Sequence, residues 1–519
     1  MVKPEPTTEV SAGQSKILRN ASYLTGAFVV QKLISFLYYT VIANKIGVSR
    51  TGQYDPLKSL IPIALILIDF SLSAVITREV ARRPQSAKSI LANVLGIKLL
   101  FAVIVLTVFG FVTNFGNFSQ DVQSSLYLVA IIVAFDSFTL TFLAVLRGLQ
   151  NMKLEAIGMI LNQVIAVSAG YVALRYNLGL RGIFFATMLG SAVNFSWSIF
   201  ALRRIAQLWP KLMWDAKLIV SFLKMALPFA IAAMLVKVYT YTDRYLLLLF
   251  KGPSAVGFYS VAHKLTFALE FLPSAFAAGL YPAMSNLYLS SKEKLTDTFE
   301  RSLVYMIIIS VPMSLGIFVL ANSLVGLAFN EFFAAAANPL RILILSLPVI
   351  FMNFPVGTLL NASNRTKYNT ISMGITVLVN ISLNALLINR FSYMGAALAT
   401  LVSGTVLFGM GLYWIRDVIT VPWQRLVSRF LRVYAAAAVA ALIIFPFRNT
   451  VPIFFHGRRA DVLGWILVFV TIYVVGLILI KGVKREELTA LWRIIRRKPA
   501  SPHSSSRGGP TASHSSGTA

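Results

Sequence analysis

Apolar residues along this chain come in runs of about 20, each bounded by a short polar stretch. The runs fall near 22–44, 57–77, 90–113, 125–146, 156–174 and 183–201, then near 223–249, 257–282, 303–326, 339–361, 367–389 and 394–415. Two more lie near 431–449 and 461–481. At 1.5 Å per residue, a run of this length crosses roughly 30 Å of hydrocarbon as a helix. The runs do not alternate like barrel strands, and a lipid-facing backbone must satisfy its own hydrogen bonds, so helix is the only state they suit. The pattern predicts an all-α polytopic membrane protein of about fourteen spans.

Charge gives the expected orientation. With the N-terminus inside, the cytoplasmic segments collect Arg78, Arg82, Arg83 and Lys88, then Arg203, Arg204, Lys211 and Lys217, then Lys292, Lys294 and Arg301. The outer loops hold few, such as Lys45, Arg50, Arg175, Arg181, Lys251 and Arg390. The bias is roughly three to one and places both termini in the cytoplasm, which an even span count requires. The net charge of +28 is thus explained by topology, and no nucleic-acid partner is expected. Hydrophobic residues at 57% against 13% charged exclude a soluble core. There is no cysteine, and His263, His456, His503 and His514 are scattered, so no metal site or cofactor is expected. The first 20 residues are polar, so no cleavable signal is expected and the first span would itself direct insertion.

A repeat organises the chain. Gly47-Val-Ser-Arg-Thr-Gly52-Gln-Tyr54 and Gly252-Pro-Ser-Ala-Val-Gly257-Phe-Tyr259 share the form G-x-S-x-x-G-x-Y, about 205 residues apart. A second marker, Gly182-Ile-Phe-Phe-Ala186-Thr187 against Gly395-Ala-Ala-Leu-Ala399-Thr400, recurs at about 213. Each copy stands at the same place in a block of six spans. Parallel repeats about an axis along the membrane normal suit a rocking two-lobed transporter. The expected divisions are a cytoplasmic segment 1–20, an N-lobe 21–210, a C-lobe 211–420 and an added helix pair 421–483. A basic amphipathic helix is expected over 484–500, on the anionic inner leaflet, and a disordered tail over 501–519. The stretch 203–222 has a similar basic and apolar mixture.

Polar residues at membrane depth cost about 2.5–3.5 kcal/mol each on insertion scales, so they tend to face a cavity or a partner. The seventh run is densest: Lys237, Tyr241 and Arg244 share one helical face at i, i+4 and i+7, with Asp243 beside them. With Lys32, Lys264 and Arg341 they would form a cationic, water-filled cavity, in which Arg suits phosphate through its forked donors. Snorkelling to the interface and internal pairing, such as Asp243 with a neighbouring Lys, are the competing readings; Lys98 is read as a snorkelling lysine. Asp69, Asp136, Asp243 and Glu270 could carry H⁺ or Na⁺ for coupling, against a simpler role in helix–helix hydrogen bonds or salt bridges. No P-loop, nucleophile elbow or metal motif is present, and no outer loop exceeds about a dozen residues. That disfavours an integral-membrane glycan polymerase or glycosyltransferase, which would be basic and polytopic too.

Several short segments together resemble the polysaccharide and O-antigen (Wzx-type) flippases of the multidrug/oligosaccharidyl-lipid/polysaccharide (MOP) exporter superfamily. Ile42–Tyr54 (IANKIGVSRTGQY) is similar to the signature LAR-LG...FG-Y, and Asp69–Arg82, with Arg78, to DFGL…REIAR. Arg147–Lys153 (RGLQNMK) stands where the family has RAFEKMK. Tyr241-Thr-Asp243-Arg244 with Val256–Lys264 and Tyr281-Pro282 is close to YRID…VGYYSAAYKL…FP. Thr51, Ser71 and His263 depart from the usual Phe, Gly and Tyr and leave substrate choice open. The resemblance implies two six-helix bundles arranged as a V, alternating access, and a polyprenyl-pyrophosphate-linked glycan as substrate in the cytoplasmic membrane. Other polysaccharide-assembly proteins would be its protein partners. Within the superfamily, a peptidoglycan lipid-precursor flippase and a multidrug or cation antiporter are the alternatives; the basic seventh span argues against the antiporter.

Overall fold

A computed structural model describes residues 8–204, 206–209, 211–447 and 458–480 of the chain. The segments expected at 484–500 and 501–519 lie outside the described residues. Sixteen α-helices follow one another, with no strand among the described residues. They are α1 (Thr8–Asp69), α2 (Leu72–Arg82), α3 (Ala87–Phe115), α4 (Gln120–Gly148), α5 (Met152–Arg175), α6 (Gly179–Arg204), α7 (Ala216–Lys251) and α8 (Pro253–Phe267). The second half continues with α9 (Phe271–Ser290), α10 (Lys292–Val319), α11 (Ala321–Ala328), α12 (Ala337–Ile344), α13 (Leu347–Ala362), α14 (Thr366–Ile415), α15 (Trp423–Ile444) and α16 (Arg458–Leu479).

Ten helices among the described residues are long and apolar enough to cross a membrane, or eleven if the segments Glu331–Ile344 and Leu347–Ala362, bent by 41°, count as one span. The predicted runs outnumber them because breaks and runs do not coincide. Helix α1 holds two runs and departs from helical geometry at Gly47; α14 holds two and departs at Ser392. The run at 257–282 is shared by α8 and α9 across a short 3-10 turn. The run at 57–77 is interrupted after Asp69, where Phe70 and Ser71 take positive φ of 47° and 57° before α2 begins. Hydropathy is continuous across that corner, so composition alone places no boundary there.

The repeated motif is mirrored in the backbone. Gly47 has φ 80° and ψ 176°, and Gly252 has φ 77° and ψ −179°, a conformation that side chains resist. The two copies pack on each other reciprocally. A Cβ on Gly52 would run into the carbonyl of Pro253, and one on Gly257 into the carbonyl of Val48. Pro253 and Val48 each follow the first glycine of their copy, so the contact has approximate twofold symmetry. The carbonyl-to-helix approach is possible only because both positions lack a side chain.

Three large buried clusters, with two smaller ones beside them, hold the helices. One joins both halves around the motif, with Tyr39, Tyr54, Leu180, Tyr259, Phe333 and Ile388 among its members. A second binds α2, α3 and α4 to the start of α7 through residues such as Leu72, Ile90, Phe142 and Phe222. The third ties α15 and α16 to the second half, where Tyr473 donates to the carbonyl of Ile308 at 2.9 Å. Many apolar side chains outside these clusters, such as Leu37, Phe111 and Leu442, stay exposed, as lipid-facing positions do.

Candidate functional site

The site is built where α1, α7 and α8 meet beside the paired motifs. About two and three turns past the kink, α1 presents Asp55 and Lys58; α7 presents Tyr241, Arg244 and Tyr245; α8 presents Ser260, His263 and Lys264. The Arg244 Nε lies 2.9 Å from Asp55 Oδ2, and its Nη2 lies 2.8 Å from His263 Nδ1. Ser260 donates to the same Asp55 oxygen at 2.8 Å. Asp55 and Ser260 are themselves repeat equivalents, 205 residues apart. Arg244 Nε is buried with no hydrogen bond of acceptable angle, so its link to Asp55 is a close charge contact rather than a well-aligned bond. Tyrosines frame the pair: the Arg244 guanidinium sits 5.2 Å from the Tyr241 ring centre, and Tyr245 reaches Ser59 at 2.7 Å and the Pro56 carbonyl at 3.0 Å.

Neighbouring cations extend the charge. Lys264 lies 4.9 Å over the ring of Tyr39, and Lys58 donates to Tyr54 at 3.0 Å. Lys32, exposed on α1 and stacked over Phe28 at 5.1 Å, is close enough to act electrostatically on Lys237, Lys264 and Glu270. Of the six cavity residues expected from sequence, Lys32, Lys237, Tyr241, Arg244 and Lys264 therefore fall in one neighbourhood. Arg341 stands apart from that description: it bonds Asn338 and Asn322 at 3.3 and 3.1 Å, on the α11–α12 side.

The acids separate into distinct environments. Asp243 faces away from Arg244's partners and accepts from Tyr259 at 2.5 Å, Thr400 at 2.6 Å and Asn384 at 2.7 Å. Its partners are thus hydroxyls and an amide, not the neighbouring Lys considered from sequence. Asn384 Oδ1, beside it, is buried without a hydrogen bond. Glu270 sits in the turn between α8 and α9, and Asp136 lies beside Ser191. Asp69 is paired with Lys98 at 2.8 Å. That pair corrects the snorkelling reading of Lys98. Its ammonium is completely buried and also donates to the Ser137 carbonyl and to Thr141, each at 2.7 Å. A head that finds three acceptors inside has no reason to reach the interface.

The motif residues hold structure around this centre. Tyr54 and Tyr259 are buried, the first against Phe184. Arg147 pairs with Glu155 at 3.1 Å, while Arg78 is exposed beside Glu79 at 4.0 Å. The segments that carry them pack together, since Gly148 abuts Val80 and Thr77 donates to the Ala144 carbonyl at 3.2 Å. Sequence reasoning missed Asp55, Lys58 and Ser260. Asp55 lay in what looked like a polar loop, yet it directly follows Tyr54 of the repeat, and that position was the available signal.

The family profile described as "Polysaccharide biosynthesis protein" matches residues 17–288, a stretch that contains the kink, both motif copies and the Arg244–Asp55 pair. The chain belongs to that family. The MatE profile matches residues 228–386, and the protein is a member of the MOP superfamily. Among curated relatives of this family member, the "probable flippase AglR" of Haloferax volcanii is 25% identical over 493 residues, covering 92% of this chain and 98% of the relative. The "probable low-salt glycan biosynthesis flippase Agl15" of the same organism is 22% identical over 423 residues, 80% of this chain and 87% of its own. The fold is similar to that of the lipid II flippase MurJ in an inward closed conformation, with TM-score 0.72 and 15% identity over 91% of this chain and 99% of that one. An inward-facing multidrug resistance MATE transporter of the MOP superfamily aligns with TM-score 0.62 and 14% identity, over 75% and 95% of the two chains.

Proposed function

We propose that this protein is a flippase that carries a lipid-linked oligosaccharide, a polyprenyl-diphosphate glycan, across the cytoplasmic membrane by alternating access. The observation that supports this reading best is the Arg244–Asp55 contact, a buried charge pair that joins the two halves of the chain. A diphosphate is a bidentate acceptor for guanidinium and can compete with the Asp55 carboxylate for Arg244. Lys32, Lys237 and Lys264 supply further positive charge along the same wall. Binding of the head would release the pair, and the halves 21–210 and 211–420 could then rock about the reciprocal glycine contact. The prenyl tail stays in the bilayer throughout. The relatives named as flippases are consistent with this substrate class.

Coupling belongs to the same proposal. Asp243 is the acid best placed for it, because it adjoins Arg244 in sequence and accepts from the amide of Asn384, whose own Oδ1 is buried without a hydrogen bond. The charge bias supports a cytoplasmic location for both termini.

Proteoliposomes holding a fluorescent polyprenyl-diphosphate oligosaccharide test the reading. Protein-dependent loss of fluorescence to a membrane-impermeant quencher is expected for the glycan lipid, and at least a tenfold slower rate for Arg244→Ala. Movement of a peptidoglycan lipid precursor alone, or of a cationic drug alone, would assign a different substrate to the same fold.

A further inference from the structure

Between α6 and α7 the chain crosses from one half to the other through a strap, of which residues 206–209 and 211–215 are described. Its backbone is pinned to α3: the Met213 amide donates to the Ala92 carbonyl at 3.2 Å and the Asp215 amide to Asn93 Oδ1 at 2.6 Å. Gly96 permits the approach, since a Cβ there would press on the Met213 carbonyl. Held this way, the strap turns Trp209, Leu212, Met213 and Trp214 outward, each more than half exposed. Where it leaves α6 it borders an open hollow of about 560 Å³ lined by Ser196, Ile199, Phe200, Arg203, Arg204 and Trp209. The Arg203 guanidinium is stacked 3.9 Å over the Trp209 ring.

No carboxylate lines this hollow, and among the described residues neither Arg203 nor Arg204 has an ion pair. Two arginines at a helix C-terminus also answer the helix dipole, and that role alone would predict nothing further. The second half of the chain supplies the comparison. At the marker offset of about 213, Arg203 corresponds to Arg416 at the end of α14, which stacks over Tyr413 at 3.9 Å. Arg416, however, has Asp417 at 3.6 Å, and Asp417 also takes Arg365 at 3.1 Å. The same cation-on-aromatic arrangement is neutralised from within in one half and left open in the other.

We infer that the Arg203–Arg204–Trp209 hollow is a binding site for the headgroup phosphate of an anionic membrane phospholipid. Each ingredient fits that occupant. A phosphate takes forked donors from guanidinium, and stacking on Trp209 fixes the Arg203 fork without occupying its donor edges. Tryptophan and basic residues at a helix end mark the headgroup level of a bilayer. Exposed Phe200 and half-buried Ile199, about one turn inward from Arg203, offer the apolar wall along which acyl chains would lie. The site anchors the one covalent connection between the halves to the leaflet, on the side to which the charge bias assigns the cytoplasm.

The test uses the full chain in nanodiscs of neutral lipid doped with brominated phosphatidylglycerol or brominated phosphatidylcholine at equal mole fraction. The protein has seven tryptophans, so the Trp209 signal is taken as the difference between the wild type and Trp209→Phe. Quenching by the anionic lipid should exceed that by the neutral lipid about fivefold, and the preference should disappear in Arg203→Gln/Arg204→Gln. Equal quenching by the two lipids overturns the inference, as does a preference that survives the double substitution. Native mass spectrometry of the same samples supplies a second readout, in which the double variant should retain fewer phosphatidylglycerol molecules. If polyprenyl diphosphate relieves the quenching at stoichiometric amounts while excess phosphatidylglycerol does not, the hollow belongs to the transported lipid and the inference fails. Flipping itself is not the readout, so failure of this site leaves the flippase proposal standing or falling on its own test.

Discussion

Among the described residues, two acid–base pairs are buried on both sides, and they are built in opposite ways. Lys98 and Asp69 sit inside the first half. The ammonium meets three acceptors for its three donors, and Asp69 also accepts from the Ser73 hydroxyl and amide at 2.5 and 3.3 Å. Arg244 and Asp55 join α7 to α1 across the halves, with Nε at hydrogen-bond distance but poorly aligned. A saturated pair within one rigid unit resists change, because every alternative strands a charge in low dielectric. An incompletely satisfied pair between units sits nearer to balance and can be displaced by a ligand with better geometry. The first pair therefore serves stability and the second is suited to switching. Burial alone would not have distinguished them.

The largest effect is expected from breaking the saturated pair. Lys98→Met should leave Asp69 uncompensated and cost about 3–5 kcal/mol, read as a large drop in the thermal midpoint of the detergent-solubilised protein. Adding Asp69→Asn should recover much of that loss, since both charges are then gone. If the single and double variants melt together, the pair is not the stabilising unit described.

Next comes the displaceable pair, where transport and stability should part company. Arg244→Ala and Asp55→Ala are each expected to slow glycan-lipid flipping at least tenfold while lowering the thermal midpoint less than Lys98→Met does. Arg244→Lys should not restore transport, because one ammonium cannot reproduce the two directions toward Asp55 and His263. A variant pair that loses stability as severely as Lys98→Met would erase the contrast between the two sites.

The glycine contact should give a middling effect on both measures. Gly52→Ala and Gly257→Ala each place a methyl group against a carbonyl of the other copy, at an overpacking cost of about 1–3 kcal/mol. Because the contact is reciprocal, the two substitutions should act alike and loosen the same end of the molecule. Cysteines introduced at Asn44 and Asn330, now linked by a 2.8 Å bond from the Asn330 amide, would report it through faster thiol labelling. Unequal responses of the two alanine variants would show that the approximate symmetry is not functional.

These contrasts were only partly legible in the residues. Apolar runs are long-range averages, and they were enough for helix and membrane. The repeat was legible because Gly47 and Gly252 need the same rare backbone, and Gly52 and Gly257 the same missing side chain. The corner at Phe70–Ser71 was not, since two ordinary residues adopt positive φ there without any change in hydropathy. Lys98 was misjudged because its partners stand 29, 39 and 43 residues away, and nothing local reveals a pocket made by other helices. Arg244 was found from its helical face. Its partner was hidden because acids near a helix kink look like loop residues until the kink is known to be buried.

Arg341 gives the smallest predicted effect and the sharpest check on the face argument. From sequence it belongs with the cationic residues, as an arginine near the start of an apolar run. In the fold it is held by Asn338 and Asn322 and is half-exposed, while Leu340 and Leu343 on the same helix are buried. Exposed side-chain contacts of this kind are worth only a few tenths of a kcal/mol. Arg341→Gln should therefore change flipping less than twofold and leave the melting temperature nearly unaltered, whereas Lys237→Gln, on Arg244's face, should slow flipping severalfold without melting the protein earlier. Measured side by side, the two substitutions remove the same charge from the same transporter. If they behave alike, transport responds to overall positive charge, and the local wall around Arg244 has no special role.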